Sequence, residues 1–148
     1  VDYMKRILFF FLQCTWGSFQ SFIGFVVFLF NLKRKHYFYH GAIIIEWKKC
    51  FSASLGLFIF MSVYYPKEKR NPHEDTYLKI LVHEYGHTIQ SLLLGPLYMM
   101  LIWVPSFIWF INPALRNMRQ EKNISYFSFY TEKWADFIGE KVTGEKTL

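Results

Sequence analysis

Apolar positions in this chain fall into long unbroken runs separated by short bunches of charge. Between Arg6 and Lys33 no side chain is charged. Ile7 to Asn31 is 25 residues, and at about 1.5 Å per residue such a helix crosses a hydrocarbon core roughly 30 Å thick. Lys5 and Arg6 stand at one end and Lys33, Arg34 and Lys35 at the other, where long cationic side chains anchor a span. The apolar part of a cleaved signal peptide runs only about 7–15 residues and closes on small residues. This run is longer and closes on Phe28-Leu29-Phe30, so it predicts a retained transmembrane helix. Gln13, Gly17, Gln20, Ser21 and Gly24 recur at helical spacing within it and predict a small, polar stripe against which another helix packs.

A second charge-free run extends from Tyr85 to Leu115, interrupted by Gly95-Pro96 and Pro105. With the end of the helix before it, this gives an apolar span over about 78–111 that either crosses or re-enters. That preceding helix is expected over Pro72 to Leu94: Asn71 as cap, Pro72 at the first position, Glu74 in the first turn, Gly95-Pro96 as stop. Between the two runs, Tyr37 to Trp47 around Gly41 and Leu55 to Val63 are β-branched and aromatic, which predicts a β-hairpin over about 37–63 at the membrane surface. The tail is polar and basic to Lys122, then aromatic, and ends in an amphipathic helix over about 131–142. The pattern as a whole predicts a mainly α, membrane-embedded, multi-pass helical bundle of one domain, 1–148, carrying a small hairpin.

Composition narrows the classes. Hydrophobic residues are 53%, aromatics 22% and charged residues 19% of 148, against about 25% charged in an ordinary soluble domain. That much apolar surface excludes a disordered chain and a coiled coil. The net charge of +6, on a chain this apolar, points to anionic lipid rather than nucleic acid. Cys14 and Cys50 lie in apolar stretches and do not suggest a disulfide framework.

The chemistry concentrates in His83-Glu84-Tyr85-Gly86-His87. Two histidines four apart share one helix face, so both imidazoles reach one ion. Neutral imidazole suits zinc, and a catalytic zinc site takes three protein ligands plus water. Glu84, beside the first histidine, is placed to accept a proton from water whose pKa the metal brings from about 15.7 to near 7. Downstream, Glu132-Lys133-Trp134-Ala135-Asp136 begins 45 residues past His87 on the expected C-terminal helix. Glu132 offers the third ligand. Asp136, one turn later, can hydrogen-bond a ligating histidine from outside and fix its ring. Glu46, His40 and His73 compete as third ligands, though none is followed by such an acid.

HEYGH followed by EKWAD resembles the gluzincin pattern, HExxH with a later ExxxD, and is most similar to its ExxAD form in integral-membrane zinc peptidases of the CAAX-prenyl-protease and heat-shock membrane-protease type. The resemblance covers about ten residues. It implies Zn2+ held by His83, His87 and Glu132, Glu84 as general base, Asp136 as partner of His83, and hydrolysis of a peptide or membrane-protein substrate at or near the bilayer surface. The interval between the motifs is compressed, with no room for a large soluble catalytic domain. That compression also admits a non-catalytic membrane scaffold whose metal is structural and closed by a fourth ligand, His73 or His40. Tyr37 to Trp47 is the expected edge strand beside the site, to which an extended peptide would pair. Tyr130, His73 and Tyr126 are available to stabilise an oxyanion. Gln90 is expected to be a buried packing residue.

Overall fold

The computed structural model describes residues 2–67 and 75–148. Two helices, α1 (Asp2–Thr15) and α2 (Ser18–Leu29), lead into strands β1 (His36–Tyr39), β2 (Ala42–Trp47), β3 (Ala53–Leu55) and β4 (Phe58–Ser62). Helix α3 (Thr76–Leu94) follows. A 3-10 turn, Gly95–Leu97, and a π-helical turn, Met99–Trp103, then run into α4 (Val104–Ile111), α5 (Pro113–Glu121) and α6 (Tyr130–Thr143). The fold is mainly helical with a small mixed four-stranded sheet.

The run from Ile7 to Asn31 is not one helix. It turns by 93° between α1 and α2, and the polar stripe supplies the reason. Gln13 and Gln20, seven residues apart, would stand about 10 Å apart along a straight helix. Instead both reach Ser91 of α3: Gln20 Nε2 donates to Ser91 Oγ at 2.7 Å, and Ser91 Oγ donates to Gln13 Oε1 at 3.1 Å. Gln13 Nε2 also donates to the Thr88 carbonyl at 3.0 Å, and Gln20 Nε2 to the Gly95 carbonyl at 3.1 Å. The corner lets two buried amides share one hydroxyl. Gln13, Gly17 and Gln20 pack against a helix as expected, whereas Ser21 and Gly24 meet the β3–β4 hairpin, where Ser21 Oγ accepts from the Leu57 amide at 3.1 Å. Among the described residues no single helix is long and apolar enough to cross a membrane; two bent pairs are so only together, α1 with α2, and α3 with the segment through α4, the latter bent by 118°.

The expected single hairpin over 37–63 is two hairpins joined side by side. Strands β1 and β2 pair antiparallel through His40-Gly41, whose φ values of 46° and 96° suit a two-residue turn that follows the strand twist. Strands β3 and β4 form the second hairpin, and β4 lies parallel to β2 with Ile45 opposite Phe60, giving the order β1-β2-β4-β3. Every residue of β4 is buried, which suits an interior strand and leaves the edges to β1 and β3.

Helix α3 begins later than expected. Asp75 is extended and its side chain accepts from the Leu78 amide at 3.0 Å, so the cap is Asp75 and the first helical residue Thr76. The capping expected of Asn71, Pro72 and Glu74 lies outside the described residues. The stop at Gly95-Pro96 stands. Asn112 and Pro113 start a helix that the polar tail concealed: Asn112 Oδ1 accepts from the Ala114 and Leu115 amides at 2.9 and 3.2 Å. The C-terminal helix runs close to its expected bounds.

Helices α3 and α6 approach backbone to backbone. A β-carbon on Gly86 would collide with the Ala135 carbonyl, and one on Gly139 with the Val82 carbonyl. This contact sets the register between the two helices, and with it the position of everything α6 offers to α3.

Candidate metal centre

His83 and His87 sit on the α3 face that meets α6, and Glu132 in the first turn of α6 reaches them. Glu132 Oε2 lies 3.0 Å from His83 Nε2 and 3.3 Å from His87 Nε2. One ligand atom from each of the three falls within 4.8 Å of the others. All are buried, Glu132 to 1% exposure.

The outer hydrogen bonds decide what the inner atoms are. Asp136 Oδ1 stands 2.7 Å from His83 Nδ1, and a carboxylate there makes Nδ1 the donor. His87 Nδ1 meets Gln90 Oε1 at 2.7 Å. Because the Gln90 amide nitrogen donates to the Thr131 carbonyl at 2.9 Å, its oxygen is the end facing the ring, so this Nδ1 donates too. With a metal ion among them, each imidazole is neutral and turns its Nε2 lone pair inward, towards a carboxylate oxygen; without one, an Nε2–H donates to Glu132 instead. In a buried space the Glu132 charge calls for a balancing cation, either a metal ion held by three lone pairs or a proton on an imidazole Nε2. The group could hold a metal ion, and its donor chemistry fits one. Burial works to raise the Glu132 carboxyl, but positive charge on the His87 and His83 imidazoles and their hydrogen bonds to it outweigh this and hold it far below the carboxylate range. Glu132 is an anion there. Its second oxygen accepts from Thr131 Oγ1 at 2.9 Å, and Thr131 Oγ1 accepts from Ser106 at 2.7 Å.

The competing ligands lie elsewhere. Glu46 pairs with Lys67 at 2.7 Å and accepts from the Tyr77 hydroxyl at 3.3 Å. His40 occupies the β1–β2 turn, where its carbonyl accepts from Tyr85 at 3.1 Å. His73 lies outside the described residues.

Glu84 is buried beside the group and held by a residue the sequence did not single out. Ser54 Oγ lies 2.8 Å from Glu84 Oε2 and 2.6 Å from the Glu84 carbonyl oxygen, so one hydroxyl proton serves both acceptors. Ser54 belongs to β3. The edge strand beside the site is thus Ala53–Leu55 and not Tyr37–Trp47, which packs on the far side of β4. Nothing about Ser54 marks it in one dimension, because the β3–β4 pairing that delivers it is a tertiary matter. Gln90 did carry a mark, three residues after His87 on the ligand face, and it positions the ring rather than merely filling space.

His83, Glu84, His87 and Glu132 all open on one cavity of about 640 Å³, within the range of small-ligand sites. Its walls are largely apolar, among them Ile102, Trp103, Phe107 and Phe127. Tyr126 lines it as well, whereas Tyr130 is exposed and donates to the Leu101 carbonyl at 2.8 Å. Of the tyrosines considered for an oxyanion, only Tyr126 faces the cavity.

Fold and site together define a mainly helical chain with a buried three-donor group able to hold a metal ion. The chain matches no known protein family, no curated protein and no solved structure.

Proposed function

We propose that this chain is an integral-membrane zinc metallopeptidase that hydrolyses a peptide bond at or near the bilayer surface. One observation carries the reading: one ligand atom each from His83, His87 and Glu132 converges on one point, and Glu84 lines the same cavity. Two imidazoles and a carboxylate are the donor set of a three-ligand catalytic zinc site. Zinc, when bound, lowers the pKa of water to near 7 and polarises a carbonyl. Asp136 and Gln90 keep both rings in the ligating tautomer, and Ser54 steadies the Glu84 carboxyl. In the balanced reaction one water is consumed. Its oxygen joins the carbonyl carbon, the C–N bond breaks, and Glu84 takes the water's proton and returns it to the leaving amine.

The membrane part rests on surface chemistry. Ile7, Phe11, Phe19, Phe22, Met100 and Ile108 are exposed on helices that carry no charge over 7–31 and 85–115. Lipid is the medium that covers such faces without cost. The scaffold alternative needs a fourth protein ligand, and among the described residues only three groups converge.

The test is Glu84→Gln in protein reconstituted in lipid, assayed for peptide cleavage and for bound metal. Loss of the base should slow cleavage about 10²–10⁴-fold, with zinc retained at the wild-type level. Unimpaired cleavage by this variant would overturn the reading.

A further inference from the structure

Arg119 is a buried cation with no anion paired to it among the described residues. Its side chain lines the cavity that holds the metal group, and the residue is 9% exposed. The guanidinium donates one hydrogen bond, to the Trp109 carbonyl near the end of α4. It stacks 4.5 Å from the Trp109 ring centre and 5.6 Å from that of Tyr126. Five N–H donors are available on a guanidinium, and among the described residues no carboxylate lies within ion-pair distance of it. The acids of the cavity are already engaged: Glu132 by two imidazoles and Thr131, Glu84 by Ser54. Arg116, one turn earlier on α5, lines the same cavity from its exposed side.

A structural role accounts for only part of this. The guanidinium closes a carbonyl near the end of α4 and sits in the last turn of α5, where the helix dipole favours a cation modestly. Burying a charge unpaired costs more than that dipole returns. Stacking on the two aromatic rings recovers part of that cost but leaves most of the guanidinium's N–H donors without an acceptor.

We infer that Arg119 is the specificity-determining residue of this cavity and binds a carboxylate carried on an apolar substrate. A single guanidinium fork matches one carboxylate in a bidentate pair, and the aromatic walls suit the apolar body. The carboxylate can be a chain's free C-terminus or an acidic side chain; both present the same two oxygens. This inference rests on reading the cavity as the peptidase's substrate site.

Binding is measured apart from turnover by titrating N-acetyl-leucyl-phenylalanine and its C-terminal amide into Glu84→Gln protein reconstituted in lipid. An amidated peptide carrying Glu in place of Phe forms a third arm. A charge-assisted hydrogen bond is worth about 1.5–3 kcal/mol, so the acid should bind about 10–100-fold more tightly than the amide. The Glu peptide shows which carboxylate is preferred. Arg119→Gln should bring acid and amide level, Arg119→Lys should keep part of the difference, and Arg116→Gln should leave most of it. Equal binding of acid and amide to the protein with Arg119 intact, or binding of neither, overturns the inference even if Arg119→Gln does not fold. Preferential binding of the acid without cleavage of any peptide by the wild type would defeat the peptidase reading alone.

Discussion

Gln90 reads His87 and α6 at once: its carbonyl oxygen lies 2.7 Å from His87 Nδ1 while its amide nitrogen donates to the Thr131 carbonyl at 2.9 Å. A buried amide with both ends occupied cannot flip, so the ring tautomer is set by the contact between two helices. Gln90→Leu frees the ring and leaves the Thr131 carbonyl without this donor. Metal affinity should fall about 10–100-fold, the usual consequence of losing a ligand's outer partner. Glu132→Ala should abolish stoichiometric binding, and Glu46→Ala should leave it intact. Chelator competition on detergent-purified protein gives all three. Undiminished affinity in Glu132→Ala would remove the centre described above.

Gly86→Ala tests the contact that brings the ligands together. The added methyl meets the Ala135 backbone, which no rotamer can relieve. Overpacking of this kind costs about 1–3 kcal/mol, read as a lower denaturation midpoint, and the displaced α6 should weaken metal binding in the same variant. An unchanged midpoint with full metal uptake would mean the two helices are not in backbone contact.

The corner between α1 and α2 is measurable as a distance. Spin labels at Met4 and Leu29 would stand roughly 38 Å apart on one straight helix, and roughly 25 Å apart across a right-angled corner. Pulsed dipolar spectroscopy in lipid distinguishes these. The longer value would restore the single span that hydropathy suggests.

Acid stability reports on the β2–α3 side of the fold. Burial alone would raise the Glu46 carboxyl, yet the Lys67 hydrogen bond and charge, with Lys35 and Tyr77, hold it below its ordinary value of 4.5. A depressed carboxyl stabilises the fold above its unfolded pKa, and that contribution is lost as pH falls through the folded value. Glu46→Gln should therefore be less stable than wild type at neutral pH, with the difference shrinking as the pH falls through the depressed folded-state value of Glu46. A difference that persists undiminished at low pH would show that Glu46 acts through packing and not through charge.

Much of this was legible in one dimension, where spacing alone carried the information. His83 and His87 share a helix face because 3.6 residues make a turn, and Glu132 and Asp136 share one for the same reason. Gly95-Pro96 had to end a helix. The break at Trp16-Gly17 was not legible, since hydropathy registers how apolar a stretch is and not which way it runs. Nor was the parallel pairing of β2 with β4, which is a long-range choice that short alternating runs leave open. Ser54 and Arg119 drew no attention because neither belongs to a motif; each matters through what folding places beside it.

Periodicity and residue type thus settled the local matters: which stretches are helical, which side chains share a face, and that two imidazoles and a carboxylate were on offer to one ion. The tertiary structure alone decided that they meet. Two helix faces can each be complete and still pass at the wrong height, and here the height comes from glycines at 86 and 139, which let α3 and α6 touch along their backbones. Backbone contact leaves no freedom to slide. A longer side chain at either place would hold the same ligands apart.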